Sequence, residues 1–174
     1  MGTPRSGPEL PRPFGGIAAG IHPLEAGADA LYAGLTRFSA RAFAHNVEME
    51  ELSRLLGAAH GRVARLYVTL NTVIVDEELP EVARVLEVLA LMGVDGIIVQ
   101  DLGVVYLART YVPGLEVHAS TQMGIHSPDG ARVLRDLGVR RAIPAWELGL
   151  DEMPRTWSRR PILTACCVCT RDVS

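Results

Sequence analysis

Short apolar runs rich in β-branched residues alternate along the chain with longer segments whose apolar residues recur at helical spacing. The runs predict buried strands and the longer segments predict amphipathic helices. Glycines lie at or near the end of each connecting segment, at positions 27, 61, 93, 114 and 138, which are 34, 32, 21 and 24 residues apart. A strand–helix unit that recurs at this length, without hairpin signals, predicts a parallel sheet with right-handed crossovers.

Five strands are predicted, at residues 30–33, 65–71, 96–101, around Val117 and at 141–145. The helices between them are predicted to begin near Asn46, near the acidic run 76–78, at Leu102 and at Pro128, the last with Ser127 as its cap. Both an open doubly wound sheet and a (β/α)8 barrel agree with this pattern. The absence of a glycine-rich phosphate loop disfavours the first. We therefore expect an α/β protein with an incomplete, TIM-barrel-like parallel sheet of about five to six of the eight units.

Three segments are predicted from the change in pattern. Residues 1–23 form an irregular leader, because Pro11 and Pro13 would interrupt any strand that begins there. Residues 24–153 form the (β/α) lobe, and residues 154–174 form a tail that contains the cysteines.

The bulk properties exclude several classes of protein. A net charge of −3 argues against a nucleic-acid surface over the whole domain, although it leaves a local one open. No apolar run approaches the ~18 residues of a membrane span, and no secretory segment precedes the first helix, so we expect a cytoplasmic protein without a membrane partner. The chain has three cysteines, an odd number, clustered at positions 166, 167 and 169, which does not make a disulfide framework. The cysteines therefore either ligate a metal or cluster or lie together by chance.

The stretch from Glu116 to Met123 is the most informative for function. A β-forming residue is followed at once by an imidazole, two hydroxyls and a carboxamide, as expected where a buried strand opens into a polar loop. Parallel strands end on one face, where small polar side chains would form a pocket for a small polar molecule or a nucleobase edge. The residues predicted at that face are His118, Ser120, Thr121, Gln122, Asn71, Gln100, Asp101 and Glu147.

Each of these residues taken alone also has a structural interpretation. His118 is either a general acid/base or a buried histidine with one hydrogen bond, and the others are either ligand contacts or strand-end caps. Arg37 and Arg41 flank Phe38 and Ser39 in a loop that either binds an anion beside a stacking ring or is solvated with the ring packed inward.

Several segments together resemble the peptidase U32 family, the collagenase-like proteases. They are GADALYAG from Gly27, RFSARAF from Arg37, YVTLNT from Tyr67, VQDLG from Val99 and HASTQM from His118. The resemblance covers about residues 24–153. It implies that His118 and Glu147 are catalytic, and that Arg37, Phe38, Ser39, Arg41, Asn71, Gln100, Asp101, Ser120, Thr121 and Gln122 contact substrate.

The resemblance implies one of three functions. Relatives in the family are oxygen-independent hydroxylases that use prephenate as oxygen donor and act on tRNA, ribosomal RNA or a ubiquinone precursor, and several bind an iron–sulfur cluster. The alternatives are a genuine protease or hydrolase, although neither a zinc motif nor a serine elbow is present, and a non-catalytic binding lobe.

Three departures from the family pattern lie near the ends. The opening strand is interrupted by prolines, the ARELS element is Ala145-Trp146-Glu147-Leu148-Gly149, and the cysteine signature is reduced to residues 164–169. Cys167 alone aligns with a cluster ligand. We hypothesise that both ends are translated out of frame, so that the C-terminal part of the barrel is missing and this form is inactive; an intact frame in the DNA would contradict this.

Overall fold

The structure, a computed structural model, describes residues 11–13, 22–39, 47–145 and 164–165, the first and last of these ranges by backbone only. Seven strands occur in them: β1 (Pro11–Pro13), β2 (Ala30–Gly34), β3 (Arg65–Leu70), β4 (Gly96–Val99), β5 (Glu116–Ala119), β6 (Arg141–Ala142) and β7 (Thr164–Ala165). Between β2 and β6, four α-helices connect successive strands: α1 (Met49–His60), α2 (Leu79–Met92), α3 (Leu102–Tyr111) and α4 (Pro128–Asp136); residues 22–25, ahead of β2, are also helical.

The strands form one sheet in which each pairs in parallel with the next strand along the chain, in the order β1-β2-β3-β4-β5-β6-β7. A doubly wound sheet would instead return to the far side of its first strand. The sequential order is that of a (β/α) barrel, so the predicted α/β class and parallel barrel-like architecture are confirmed.

The structure adds strands at both ends of the five that the sequence predicts. The prediction was wrong for residues 11–13, which pair with Ala30, Leu31 and Tyr32 despite their two prolines. β1 lies at one end of the described sheet, where the missing N–H of a proline need not leave a neighbouring strand without a partner. β4 is shorter than predicted, because Gln100 and Asp101 already belong to the loop that leads into α3.

The helix starts follow from local hydrogen bonds. Asn46, predicted as a cap, lies outside the described residues, and α1 begins at Met49 after Glu48. It does not begin earlier because Val47 is still extended and its amide donates to Gly34 O at 2.9 Å. The start of α4 is as predicted: Ser127 Oγ accepts from the Gly130 amide at 3.2 Å and Pro128 is the first residue.

Side chains alternate between the two faces of the sheet and form two apolar clusters. The face toward the helices carries the larger core, with fully buried Leu31, Leu66 and Ile97 from three successive strands. The opposite face, which we call the interior face, carries a smaller cluster of Ala30, Tyr67, Ile98 and Ile143, with Tyr32 packed against it. The polar residues Thr69, Glu116, His118 and Arg141 share this interior face.

In the described part of the chain, none of the helices has the length and apolarity that crossing a membrane requires.

Two glycine substitutions test how closely the connection between α4 and β6 packs against Arg109. Gly138 has a φ of 85°, and a Cβ there would lie 2.8 Å from Arg109 Cδ. Arg109 donates to the carbonyls of Pro113 and Leu115, so its side chain has little room to shift. We expect Gly138→Ala to lower the free energy of unfolding by about 1–3 kcal/mol, from left-handed strain plus the contact.

Gly57→Ala is the matched control. Gly57 lies inside α1, and nothing comes within 4 Å of the position that an alanine methyl group would take there. The change should raise the free energy of unfolding by about 0.5–1 kcal/mol through helix propensity. Urea denaturation followed by circular dichroism measures both, and equal effects of the two substitutions would contradict this account of Gly138.

Candidate functional site

The parallel register arranges the interior residues in rows across the sheet. Thr69 is opposite Ile98, Ile98 is opposite His118, and His118 is opposite Arg141. These residues have the same parity along their strands and therefore face the same side. His118 thus lies in a row that crosses the interior face from β3 to β6.

The next row toward the carboxyl ends contains Asn71, Gln100, Ser120 and Ile143, two residues further along each strand. Pairing continues to this level, since Ser120 N donates to Val99 O at 2.7 Å and Ile143 N donates to Ala119 O at 3.0 Å. We call this row the mouth row. It contains three of the predicted site residues, Asn71, Gln100 and Ser120, one row beyond His118.

His118 is almost fully buried, with 3% of its surface exposed. Its Nε2 lies 3.2 Å from Oε2 of Glu116, two residues earlier on the same strand. The Tyr67 ring packs beside the imidazole, with 4.6 Å between ring centroids and an interplanar angle of 59°. The histidine is therefore held by a carboxylate and an aromatic ring.

Two arginines complete the surroundings of Tyr67. Arg141 Nη1 donates to the Tyr67 hydroxyl at 3.1 Å and Arg65 Nη1 donates to it at 3.5 Å. The Arg141 guanidinium also lies near the face of the ring, 5.7 Å from its centroid. We call Arg65, Tyr67, Glu116, His118 and Arg141 the interior polar cluster.

The pKa of Glu116 is lowered from its ordinary value. The largest cause is the hydrogen bond from His118; partial burial opposes it, and the charges of His118, Arg141 and Arg65 lower the pKa further. Glu116 is therefore a carboxylate at neutral pH. The neighbouring residue on β4 is Gly96, where a Cβ would lie 2.8 Å from the backbone oxygen of Glu116 and 3.3 Å from Tyr67 Cδ1.

Asp101 has a structural task at the end of β4. Its Oδ1 accepts from Gly103 N at 2.6 Å and caps α3, and its Oδ2 accepts from Ile74 N at 3.2 Å. Both oxygens thus hold backbone amides, as in the strand-end-cap alternative.

Ser120, Thr121 and Gln122 form the turn after β5. Ser120 Oγ accepts from the Gln122 amide at 3.3 Å and caps the short 3-10 helix Thr121–Met123. Ser120 is buried, Thr121 is half-buried and the Gln122 side chain is exposed. Of these three predicted contacts, Ser120 is the one that belongs to the mouth row.

In residues 37–39, the described part of the loop after β2, the aromatic ring packs inward, as in the second of the two predicted arrangements. Phe38 is 7% exposed and belongs to the core on the helix side, with a φ of 66° that an aromatic residue rarely adopts. Arg37 lies against the ring and pairs with Glu81 at 2.6 Å and Glu78 at 3.8 Å. An anion that binds Arg37 would have to compete with these carboxylates.

Ser39 contacts the row of His118 through Thr69. Its Oγ is 3.4 Å from Thr69 Oγ1, and the Thr69 hydroxyl donates to Ala33 O at 3.2 Å, so Ser39 is the donor between the two hydroxyls. Ser39 therefore borders the interior face.

Three predicted site residues, Arg41, Glu147 and Cys167, lie outside the described residues, as do Cys166 and Cys169. Within the described ranges, no group of three or more His, Cys, Asp or Glu residues could hold a metal ion. The described residues therefore do not form the ligand set of an iron–sulfur cluster.

The sequence did not assign a role to Glu116, Arg65, Tyr67 or Arg141. They could have been found from the alternation of side chains along a strand. Glu116 is two residues before His118, and Arg65 and Tyr67 share one face of the same strand. Once one interior residue is known, the alternation of a strand identifies the others.

Comparison with known proteins places these motifs in a family. The model of peptidase family U32 matches residues 17–162. The chain is 40% identical over 127 residues to the 23S rRNA 5-hydroxycytidine C2501 synthase of Escherichia coli, covering 73% of this chain and 19% of that protein. It is 29% identical over 154 residues to the tRNA hydroxylation protein P of Escherichia coli, covering 88% of this chain and 34% of that protein.

A third relative has a different activity in its name. The collagenase of Porphyromonas gingivalis is 30% identical over 125 residues, which cover 71% of this chain and 30% of that protein. The chain thus spans about a fifth to a third of the length of these relatives.

Among solved structures, the U32 peptidase Mk0906 superposes with a TM-score of 0.68 at 18% identity, over 83% of this chain and 61% of that one. The dihydrodipicolinate synthase of Cyanidioschyzon merolae superposes with a TM-score of 0.62 at 14% identity, over 91% and 62% of the two chains. At these identities the likeness concerns the fold alone.

Substitution of Asp101 tests whether its carboxylate stabilises the fold by accepting hydrogen bonds from backbone amides. Asp101→Ala should lower the free energy of unfolding by about 1–2 kcal/mol, because Gly103 N and Ile74 N lose their acceptor. Asp101→Asn, which keeps one acceptor oxygen, should lose less. Glu87→Ala on the exposed face of α2 is the control. Full stability of Asp101→Ala in urea denaturation would contradict the capping task.

Glu116→Gln tests the charge of the interior polar cluster. Because the folded-state pKa of Glu116 lies below its ordinary 4.5, its carboxylate stabilises the fold above about pH 4.5, and this stabilisation disappears as the pH falls through the folded-state value. We expect the variant to be less stable at neutral pH by about 1 kcal/mol, a value reduced for partial exposure.

The difference between wild type and Glu116→Gln should shrink below about pH 4. Urea denaturation at a series of pH values measures it. A difference that is constant over the whole pH range would show that the charge of Glu116 is not what stabilises the fold.

Proposed function

This chain belongs to peptidase family U32, and from that membership we propose that it forms the substrate-binding barrel of an RNA hydroxylase acting in the cytoplasm. The observation that carries the proposal is the 40% identity to the 23S rRNA 5-hydroxycytidine C2501 synthase over 73% of the chain. Ribosomal RNA is therefore the first substrate to test, and tRNA is the second, because of the similarity to tRNA hydroxylation protein P.

The mouth row supports recognition of a nucleobase. Asn71 and Gln100 each offer one amide donor and one amide acceptor, which is what the edge of a base requires. Ser120 and Ser39 add hydroxyls at the same side of the sheet. A base that enters at the carboxyl ends of the strands would meet these groups before it reached the row of His118.

His118 is the residue we assign to proton transfer. It lies one row below the mouth row and is buried, so its exchange of protons with bulk water is restricted. An imidazole titrates near neutral pH and can take or return a proton at the reacting base. Glu147, outside the described residues, remains a second proposed catalytic group.

The oxygen donor implied by the family resemblance is prephenate, which removes the need for O₂. Since the described residues do not form a cluster-binding set, no step is assigned to an iron–sulfur centre. Arg37 and Arg41 remain proposed contacts to anionic groups of substrate or donor, and Arg37 would exchange its pairing with Glu81.

The second candidate is hydrolysis of peptide bonds, which the 30% identity to the collagenase of Porphyromonas gingivalis favours. Ser120 is the hydroxyl nearest to His118 along the chain. Its Oγ is occupied as the cap of the following turn, and no serine elbow surrounds it. These observations favour hydroxylation over hydrolysis.

Deletion of the gene and nucleoside mass spectrometry test the proposal. We expect one hydroxylated nucleoside to disappear from ribosomal RNA or tRNA, to return with the wild-type gene, and to persist in cells grown without O₂. Complementation with His118→Gln should restore less than about a tenth of it, since a general acid/base contributes 10²–10⁴-fold to rate.

Glu87→Gln, an exposed change on α2, should complement fully. An unchanged nucleoside profile after deletion would refute the hydroxylase. Loss of gelatin digestion in the same deletion strain, restored by wild type and not by His118→Gln, would instead support the protease.

A further inference from the structure

The contact between His118 and Glu116 constrains which ring nitrogen carries the proton. The Nε2···Oε2 distance of 3.2 Å is that of a hydrogen bond, and the imidazole is 4% exposed while the carboxylate is 34% exposed. An ionised carboxylate only accepts hydrogen bonds. The hydrogen between the two groups therefore belongs to Nε2.

Glu116 is kept ionised by the groups that surround it. Arg65 enters from β3 and Arg141 from β6, and both lie close enough to lower the pKa of the carboxyl group. From β4 the residue at this level is Gly96, which has no side chain. The described charged and titratable groups around the carboxylate are thus two arginines, Tyr67 and His118 itself, and both arginines favour its ionised form.

We infer that Glu116 is a positioning residue that fixes the neutral imidazole of His118 as the Nε2–H tautomer, so that the basic nitrogen of His118 is Nδ1. A neutral imidazole has one N–H and one lone pair, and assigning the hydrogen to Nε2 leaves the lone pair on Nδ1. A proton taken from substrate would enter at Nδ1, and the resulting imidazolium would be stabilised by the Glu116 carboxylate at Nε2.

The ring is also fixed against rotation. Tyr67 packs 4.6 Å from the imidazole, and its own hydroxyl is held by Arg141 and Arg65. A flip of the imidazole that exchanged its edges would break the bond to Glu116. The interior polar cluster therefore selects both a tautomer and a ring orientation.

The catalytic part of this inference rests on the proposed function, whereas the tautomer is measurable without any substrate. The protein is labelled with ¹⁵N-histidine, and long-range ¹H–¹⁵N spectra are recorded at about pH 8, well above the ordinary imidazole pKa. The pattern of couplings identifies which nitrogen is protonated. The chain has five histidines, and His118→Gln assigns the resonance of interest by its loss.

The matched control is another hydrogen-bonded histidine–carboxylate pair within the described residues. His60 Nε2, at the end of α1, lies 2.9 Å from Asp95 Oδ2, on the residue before β4, in an exposed contact. Asp95→Asn should change the signals of His60 and leave those of His118 unchanged. Glu116→Gln should do the reverse, because a carboxamide can either donate to or accept from Nε2 and no longer selects one tautomer.

The expected result is an Nε2–H signature for His118 in the wild type and a mixed or reversed one in Glu116→Gln. An Nδ1–H signature in the wild type, or a signature that Glu116→Gln leaves unchanged, would overturn the inference whatever the RNA assay shows. Circular dichroism of the variant confirms that it is folded at the temperature of the measurement.

The RNA assay then separates the inference from the proposed function. If the protein hydroxylates RNA, Glu116→Gln should reduce kcat by about 10- to 100-fold, a part of what a general base contributes, with KM changed less than about twofold. A reduction confined to KM would refute the positioning role of Glu116. Absence of any RNA product from the full-length wild-type gene product would refute the hydroxylase alone, and the tautomer spectra would still decide the inference.

Discussion

The parallel register of neighbouring strands is the constraint on which the other features depend. Each strand pairs with the next along the chain, and the pairs Ile98–His118 and His118–Arg141 fix which residues share a row. If one strand shifted by one residue against its neighbours, its interior side chains would turn toward the helices. Any charged groups among them would then be buried among leucines and valines. The large apolar core on the helix side therefore also determines where the polar residues lie.

This constraint separates the interior face into two levels with different chemistry. The mouth row carries amides and hydroxyls, which bind neutral polar groups. The charged level below it comprises Arg141 in the row of His118, Glu116 one row nearer the amino ends of the strands and Arg65 one row nearer still. His118 is the residue that connects the two levels, since it lies in the row below the mouth and bonds to the charged level.

Much of the fold could be predicted from the sequence because its signals are local. Apolar runs, glycine spacing and the Ser127–Pro128 cap are properties of short segments, and each predicted element is present. The strand over residues 11–13 was missed because the tolerance for proline depends on position at a sheet edge, which is not a local property.

The site could be predicted only in part, for the same reason. The convergence of Asn71, Gln100 and Ser120 follows from parallel strands alone. The bond from the Ile74 amide to Asp101 joins residues 27 positions apart, and the inward packing of Phe38 depends on a core that the sequence does not display. The interior polar cluster requires the register between β3, β5 and β6, which no segment contains by itself.

Gly96 has a consequence for how this interior can vary. A Cβ at this position would lie 2.8 Å from the backbone oxygen and 3.0 Å from the Cβ of residue 116, and 3.3 Å from Tyr67 Cδ1. The backbone oxygen is present whatever residue stands at 116, so a smaller side chain there would not make room for a larger one at 96. A position without any functional group thus limits how closely β4 can lie beside β5 and the Tyr67 ring.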